Sequence, residues 1–130
     1  MIGLDTNVVV RFLVRDDPVQ TAKADACIGQ LTENQPGFIS VVAVAETAWV
    51  LKSIYKYTNA YVALAVESLL RAAELVVQSE QQVFQAVAML REGRGTLGDA
   101  LIGALGSQAG CDHTLTFDRK AARLPEFELL

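Results

Sequence analysis

Short apolar runs of strand length alternate with amphipathic stretches of helix length from one end of the chain to the other. That alternation constrains the fold more than any other feature. Successive strands separated by helices cannot form hairpins, so they pair in parallel through crossover connections. The opening run Met1 to Leu4 reads as a buried strand ending at Asp5. Asp5-Thr6-Asn7 offers helix-capping chemistry before the Val8 to Val14 helix. Asp17 and Pro18 suit the cap and first position of a second helix, which carries Ile28 and Leu31. After the Pro36-Gly37 turn, Phe38 to Ser40 reads as a strand, and Ser40 caps a helix holding Val44, Glu46, Ala48 and Leu51. A helix from Thr58-Asn59 to Leu70, a strand from Glu74 to Gln78 and a helix from Ser79 to Arg91 follow. Gly93-Arg94-Gly95 breaks the chain before a helix from Leu97 to Ala109. His113 to Phe117 is a strand ending at Asp118, and Phe127 to Leu130 is a last short strand. The expected architecture is α/β: three layers, α/β/α, around a mostly parallel central sheet.

The 130 residues fit one domain spanning 1–130, and a hydrophobic content of 52% supplies a core. Two cysteines, Cys27 and Cys111, make no disulfide framework and read as small buried residues of a cytoplasmic protein. Asp5 interrupts the N-terminus before a secretory leader can form. The apolar stretch Phe38 to Leu51 contains Glu46 and is too short to span a bilayer, so no membrane role is expected. The formal net charge of −4 argues against a general nucleic-acid coat. It is compatible with a nuclease, where clustered carboxylates and separate basic residues coexist.

Four acids stand out. In an open parallel sheet, ligands gather at the carboxyl ends of the strands. Asp5 and Asp118 each follow a strand, while Glu46 and Asp99 lie near helix starts on the same rim. Their mutual repulsion calls for a cation. Mg²⁺ and Mn²⁺ are hard ions that prefer oxygen ligands. Each acid also has an ordinary reading. Asp5 and Asp118 suit turns or caps, Asp99 suits a helix dipole, and Glu46 could sit on an outer helix face. Glu46 is the hardest to explain away, because its neighbours are so apolar.

Leu4-Asp5-Thr6-Asn7-Val8 with Arg11 and Asp16-Asp17-Pro18 resembles the opening of a PIN domain, in particular the VapC-type toxin ribonucleases of bacterial toxin–antitoxin pairs. Ile39 to Glu46 is similar to the second acidic element, and Gly98-Asp99-Ala100-Leu101-Ile102 to the third. Thr114 to Lys120 is similar to the fourth, with Leu124-Pro125 after it. The resemblance implies endonucleolytic cleavage of RNA with Mg²⁺ or Mn²⁺ held by Asp5, Glu46, Asp99 and Asp118. It implies that Thr6, Asn7 and Thr116 support those acids, as hydrogen bonds to ligating groups do elsewhere. It implies a cognate antitoxin protein and a homodimer. Relatives of this toxin type often carry an acid three positions before the third Asp; Thr96 stands there instead, which implies one ion firmly held and a second weakly.

Arg11, Arg15 and Arg119 are the best placed candidates for phosphate contact, with Arg94, Lys120 and Arg123 behind them. Gly93 to Gly98 matches G-x-G-x-x-G literally, but it follows a helix rather than a strand, so it reads as a flexible connection. Gly103, Gly106 and Gly110 form a small-residue stripe suited to close packing. Lone His113 offers no catalytic triad. Trp49, Tyr55, Tyr57 and Tyr61 could form a base-stacking surface, although the helical spacing of Trp49 favours packing. Two other classes remain open: a PIN-like protein-binding module with little activity, which Thr96 favours, and an aspartyl-phosphate domain, which Asp5-Thr6-Asn7 supports poorly for want of a second nearby acid.

Overall fold

A computed structural model describes residues 1–130. Its strands are β1 (Ile2–Gly3), β2 (Gly37–Ile39), β3 (Leu75–Val77), β4 (Thr114–Thr116) and β5 (Phe127–Leu129). Its helices are α1 (Thr6–Val14), α2 (Pro18–Gly29), α3 (Val41–Ser53), α4 (Asn59–Arg71), α5 (Glu80–Arg91) and α6 (Leu97–Gln108). A 3₁₀ turn spans Ala121–Arg123. Every strand pairing is parallel. Two helices fill each of the crossovers β1 to β2, β2 to β3 and β3 to β4, as parallel pairing requires. The result is the expected three-layer α/β/α arrangement.

The strands form two ribbons, β1-β2-β3 and β4-β5. The first has β2 at its centre and β1 on an edge. Gly37 opens β2 for a packing reason. A Cβ there would stand 2.8 Å from Leu31 Cδ1 and 3.0 Å from Leu4 Cδ1. The second ribbon is held against α6 by two of the three glycines of the expected stripe; Gly110 lies beyond the helix, at positive φ, and packs against nothing. A Cβ on Gly103 would meet Phe127 Cε2 at 2.8 Å, and one on Gly106 would meet Thr114 Oγ1 at 2.9 Å.

Local chemistry sets most helix starts. Asp17 accepts from the Gln20 amide, Ser40 from Ala43, Thr58 from Tyr61 and Thr96 from Asp99. Each such cap satisfies an amide with no partner inside the helix. Two starts differ from expectation. Helix α1 begins at Thr6, ahead of the β-branched run, because Val9 and Val10 are buried on its inner face. That burial outweighs the modest helical preference of valine. Ser79 precedes α5 in a left-handed conformation, and its side chain caps nothing.

The core runs through Leu4, Ile39, Val44, Leu51, Val66, Val83 and Leu124, joining the first ribbon to α3, α4 and α5. Both cysteines are free, but the expectation that both are buried does not hold: Cys27 is half-buried and Cys111 exposed. Cys111 lies beyond the end of α6, in the connection to β4, where no element covers it. No helix is long and apolar enough to cross a membrane.

Candidate active site

The junction of β1 and α1 is the natural place to begin. Asp5 occupies the cap position of α1, with extended backbone (φ −76°, ψ 158°) and its carbonyl accepting from Val8 and Val9. Its carboxylate makes no capping bond. The ordinary reading of an acid before a helix therefore leaves the Asp5 side chain unexplained. It stands exposed and uncommitted at the carboxyl end of an edge strand.

The next residue ties this junction to α3. Thr6 is buried, and its hydroxyl donates to Glu46 Oε2 at 2.9 Å. Two residues 40 positions apart in sequence thus fix each other. Glu46 lies on an exposed part of α3, between half-buried Ala45 and fully buried Thr47. Its apolar neighbours face inward and the carboxylate faces out, held by Thr6. Asn7 is exposed and lines a groove of about 360 Å³ bounded by β1, α1 and α2.

Asp99 stands in the first turn of α6, half-buried, with its amide bonded to the Thr96 hydroxyl. Helices α3 and α6 pack together. Asp118 follows β4. Its amide donates to Thr116 Oγ1 at 3.0 Å, and its Oδ1 accepts from the Lys120 amide at 2.8 Å. Part of the ordinary turn role is therefore realised at Asp118. The Thr116 hydroxyl thus bonds the Asp118 backbone amide, not its carboxylate. The second ribbon that carries Asp118 makes no ladder with β1.

All four acids are oxygen donors, suited in kind to Mg²⁺ or Mn²⁺. Their positions are another matter: no three Asp, Glu, His or Cys side chains are grouped so that they could hold an ion. The donors fit a hard cation by chemistry but do not form a metal site as arranged. The Thr6–Glu46 bond is the one side-chain hydrogen bond that joins two of the acid-bearing segments.

The candidate phosphate contacts separate into two groups. Arg11 donates to Gln20 Oε1 at 2.6 Å, to Tyr55 Oη at 2.9 Å and to Asp16 Oδ1 at 3.3 Å. Tyr55 in turn donates to Asp16 Oδ2 at 2.7 Å. Arg15 grips Asp25 with two bonds of 2.8 and 2.7 Å. Both guanidiniums already face carboxylates, which compete with any phosphate. Arg94 pairs with Glu92 at 3.5 Å and donates to the Arg123 carbonyl. Arg119, Lys120 and Arg123 are exposed and in no ion pair.

Tyr55 holds the Asp16 carboxyl below the usual carboxylate range by donating to it, with Arg11 adding a smaller pull. The same bond raises the Tyr55 hydroxyl. A carboxyl lowered in the folded state stabilises the fold above its unfolded pKa. That contribution disappears as pH falls through the lower folded value. Tyr55→Phe removes the main cause. We expect its loss of stability between about pH 5 and about pH 2 to be shallower than that of the parent. Urea unfolding across that range measures the difference.

Neither Tyr55 nor the surroundings of Trp49 were apparent from sequence. Trp49 is 62% exposed, so of the two expected packing roles, core or interface, the core one does not hold. Tyr55, Tyr57 and Tyr61 lie in a row, with ring centroids 6.3 and 6.2 Å apart. Gly93 and Gly95 adopt positive φ in a connection between two helices, which removes the dinucleotide-binding context of the glycine motif.

Parallel strands joined by two-helix crossovers define a three-layer α/β domain. The chain matches the family model of the PIN domain over residues 2–126 and belongs to that family. PIN domains are usually metal-dependent nucleases and generally bind divalent metals. No curated protein and no solved structure matches the chain.

Proposed function

We propose that the chain is a Mg²⁺- or Mn²⁺-dependent endoribonuclease, the VapC-type toxin of a toxin–antitoxin pair. On this reading residues 1–130 form one domain, and Asp5, Glu46, Asp99 and Asp118 are its acidic set. The observation that carries the reading is the Thr6–Glu46 hydrogen bond. It commits a buried hydroxyl to orienting a carboxylate beside the Asp5 junction, an arrangement that core packing does not require. The uncommitted Asp5 carboxylate is suited to accepting a proton from an attacking water. Exposed Arg119 is suited to holding a substrate phosphate. An antitoxin protein would cover the same rim. A homodimer would use the apolar surface of α4, where Tyr61 and Leu64 are exposed.

A second reading has a specific observation behind it. The acids are not gathered as an ion-binding group, and Thr96 spends its hydroxyl capping α6. Both suit a PIN domain kept as a protein-binding module.

Cation removal separates the two. The purified chain, free of any partner, should cleave single-stranded RNA with Mg²⁺ or Mn²⁺ present and stop when EDTA is added. Undiminished cleavage in excess EDTA would refute the metal requirement. No cleavage with either ion, together with tight binding to a partner protein, would favour the module.

A further inference from the structure

Beside the acid-bearing rim lies a small cavity of about 140 Å³ between α3, α4 and the start of α6. Its floor is apolar and includes Ala48, Val62, Leu90 and Leu97, all buried. Its mouth is different. Trp49 flanks it, 62% exposed. Lys52, Ser53 and Asn59 supply an ammonium, a hydroxyl and an amide around the rim. Lys52 is exposed and takes part in no ion pair.

Size and chemistry restrict the occupant. The volume is well below the roughly 300 Å³ at which pockets for drug-sized ligands begin. It excludes a helix or a run of peptide and admits one flat ring system. An exposed indole offers a face on which a planar ring can stack. An amide and a hydroxyl at the edge suit the hydrogen-bonding edge of a heterocycle, and an unpaired ammonium suits an adjoining phosphate. Unstacked bases of single-stranded RNA present all three features together.

Position supplies the link to the chemistry. Trp49 lies one helical turn after Glu46 on α3, so the two share a face. Gly98, another lining residue, immediately precedes Asp99. A base seated here would bring its own backbone alongside two of the acid positions.

We propose that this cavity receives one unpaired RNA base, stacked on Trp49, with Lys52 against the neighbouring phosphate. The proposal rests on the nuclease reading for the identity of its ligand. It makes Trp49 a substrate-positioning residue and the cavity a selector of the nucleotide next to the cut.

Trp49 is the only tryptophan in the chain, so its emission reports on the cavity directly. Asp5→Asn protein can be titrated with a short single-stranded oligoribonucleotide. The expected result is quenching of Trp49 that saturates at the same concentration as the anisotropy of the fluorescein-labelled oligonucleotide. Trp49→Ala should bind the labelled RNA about tenfold more weakly, and Trp49→Phe should restore most of the affinity. In cleavage by the otherwise unaltered chain, Trp49→Ala should raise KM by a similar factor and leave kcat nearly unchanged. RNA binding seen by anisotropy with Trp49 emission unaltered would overturn the proposal. So would failure of the RNA to bind at all. An emission shift that follows protein concentration without RNA, with no further change on adding it, would also overturn it and assign the face to a second copy of the chain. Quenching by RNA in a chain that cuts no RNA with either ion would uphold the cavity as a base site and overturn the nuclease reading alone.

Discussion

RNA cleavage by Asp5→Asn protein is expected to fall by about a thousandfold or more, with the unfolding midpoint little changed. The two halves of this expectation have separate causes. Removal of one member of a catalytic set that acts as a unit typically costs three or more orders of magnitude. The fold, by contrast, asks little of the Asp5 carboxylate. It is exposed and makes no capping bond, and asparagine is as good a cap residue as aspartate. The extended backbone at this position suits either residue. Any stability change should stay within about 0.5 kcal/mol, the usual range for surface substitutions. Gel-based cleavage of a labelled RNA, with thermal unfolding of the same preparation, measures both. Cleavage at the parental rate would remove Asp5 from the site and with it the proposed acidic set.

Ile39→Ala should do the reverse. Ile39 ends the central strand of the first ribbon and has no exposed surface. Truncation removes buried methylene groups and leaves a cavity the surrounding helices cannot fully close. The expected loss is about 3 kcal/mol, within the range for such truncations. That is a large share of the roughly 5–15 kcal/mol that holds a domain folded. Ile39 also immediately precedes Ser40, whose hydroxyl starts α3 and so sets the position of Glu46. The backbone of β2 should persist, however, because its ladder to β1 and β3 does not use the side chain. Cleavage per folded molecule should therefore stay near the parental value. Urea unfolding gives the first quantity and activity corrected for folded fraction the second. A loss below about 1 kcal/mol would mean that this part of the core relaxes far more easily than its burial implies.

Features governed by neighbours in sequence were legible before the structure. The caps at Asp17, Ser40 and Thr58 are contacts of three residues' span, and their residue types announce them. The strand ends at Asp5 and Asp118 follow from apolar runs stopping at an acid. Nothing local pairs Thr6 with Glu46, because the two lie 40 residues apart. Tyr55 is 44 residues from Arg11, and nothing local marks it as the partner of Arg11 and Asp16. The cavity beside Trp49 draws its walls from four helices and the turn before the last, so no window of sequence contains it. Helix α1 was expected and is present, although its valines are weak helix formers, because Val9 and Val10 are buried on its inner face. The four acids were legible as a set in order, whereas their distances depend on how the two ribbons are arranged.

That arrangement bears on how the domain opens. The β4–β5 ribbon shares no ladder with β1 and rests on α6 through glycines that have no side chains to interlock. Leu115 and Phe117 on this ribbon are exposed, the latter by 82%. Its anchor is the connection between its two strands, where Leu124 is buried in the main core and Phe127 packs against it, whereas β4 itself presents little apolar surface to the body. Such segments come loose as partial openings at a free energy well below that of complete unfolding. Asp118 and Arg119 stand at the exposed end of β4, away from the Leu124 anchor, and Asp5 and Glu46 stand beside the main core. The domain can thus lose one side of its rim for brief intervals without ceasing to be folded.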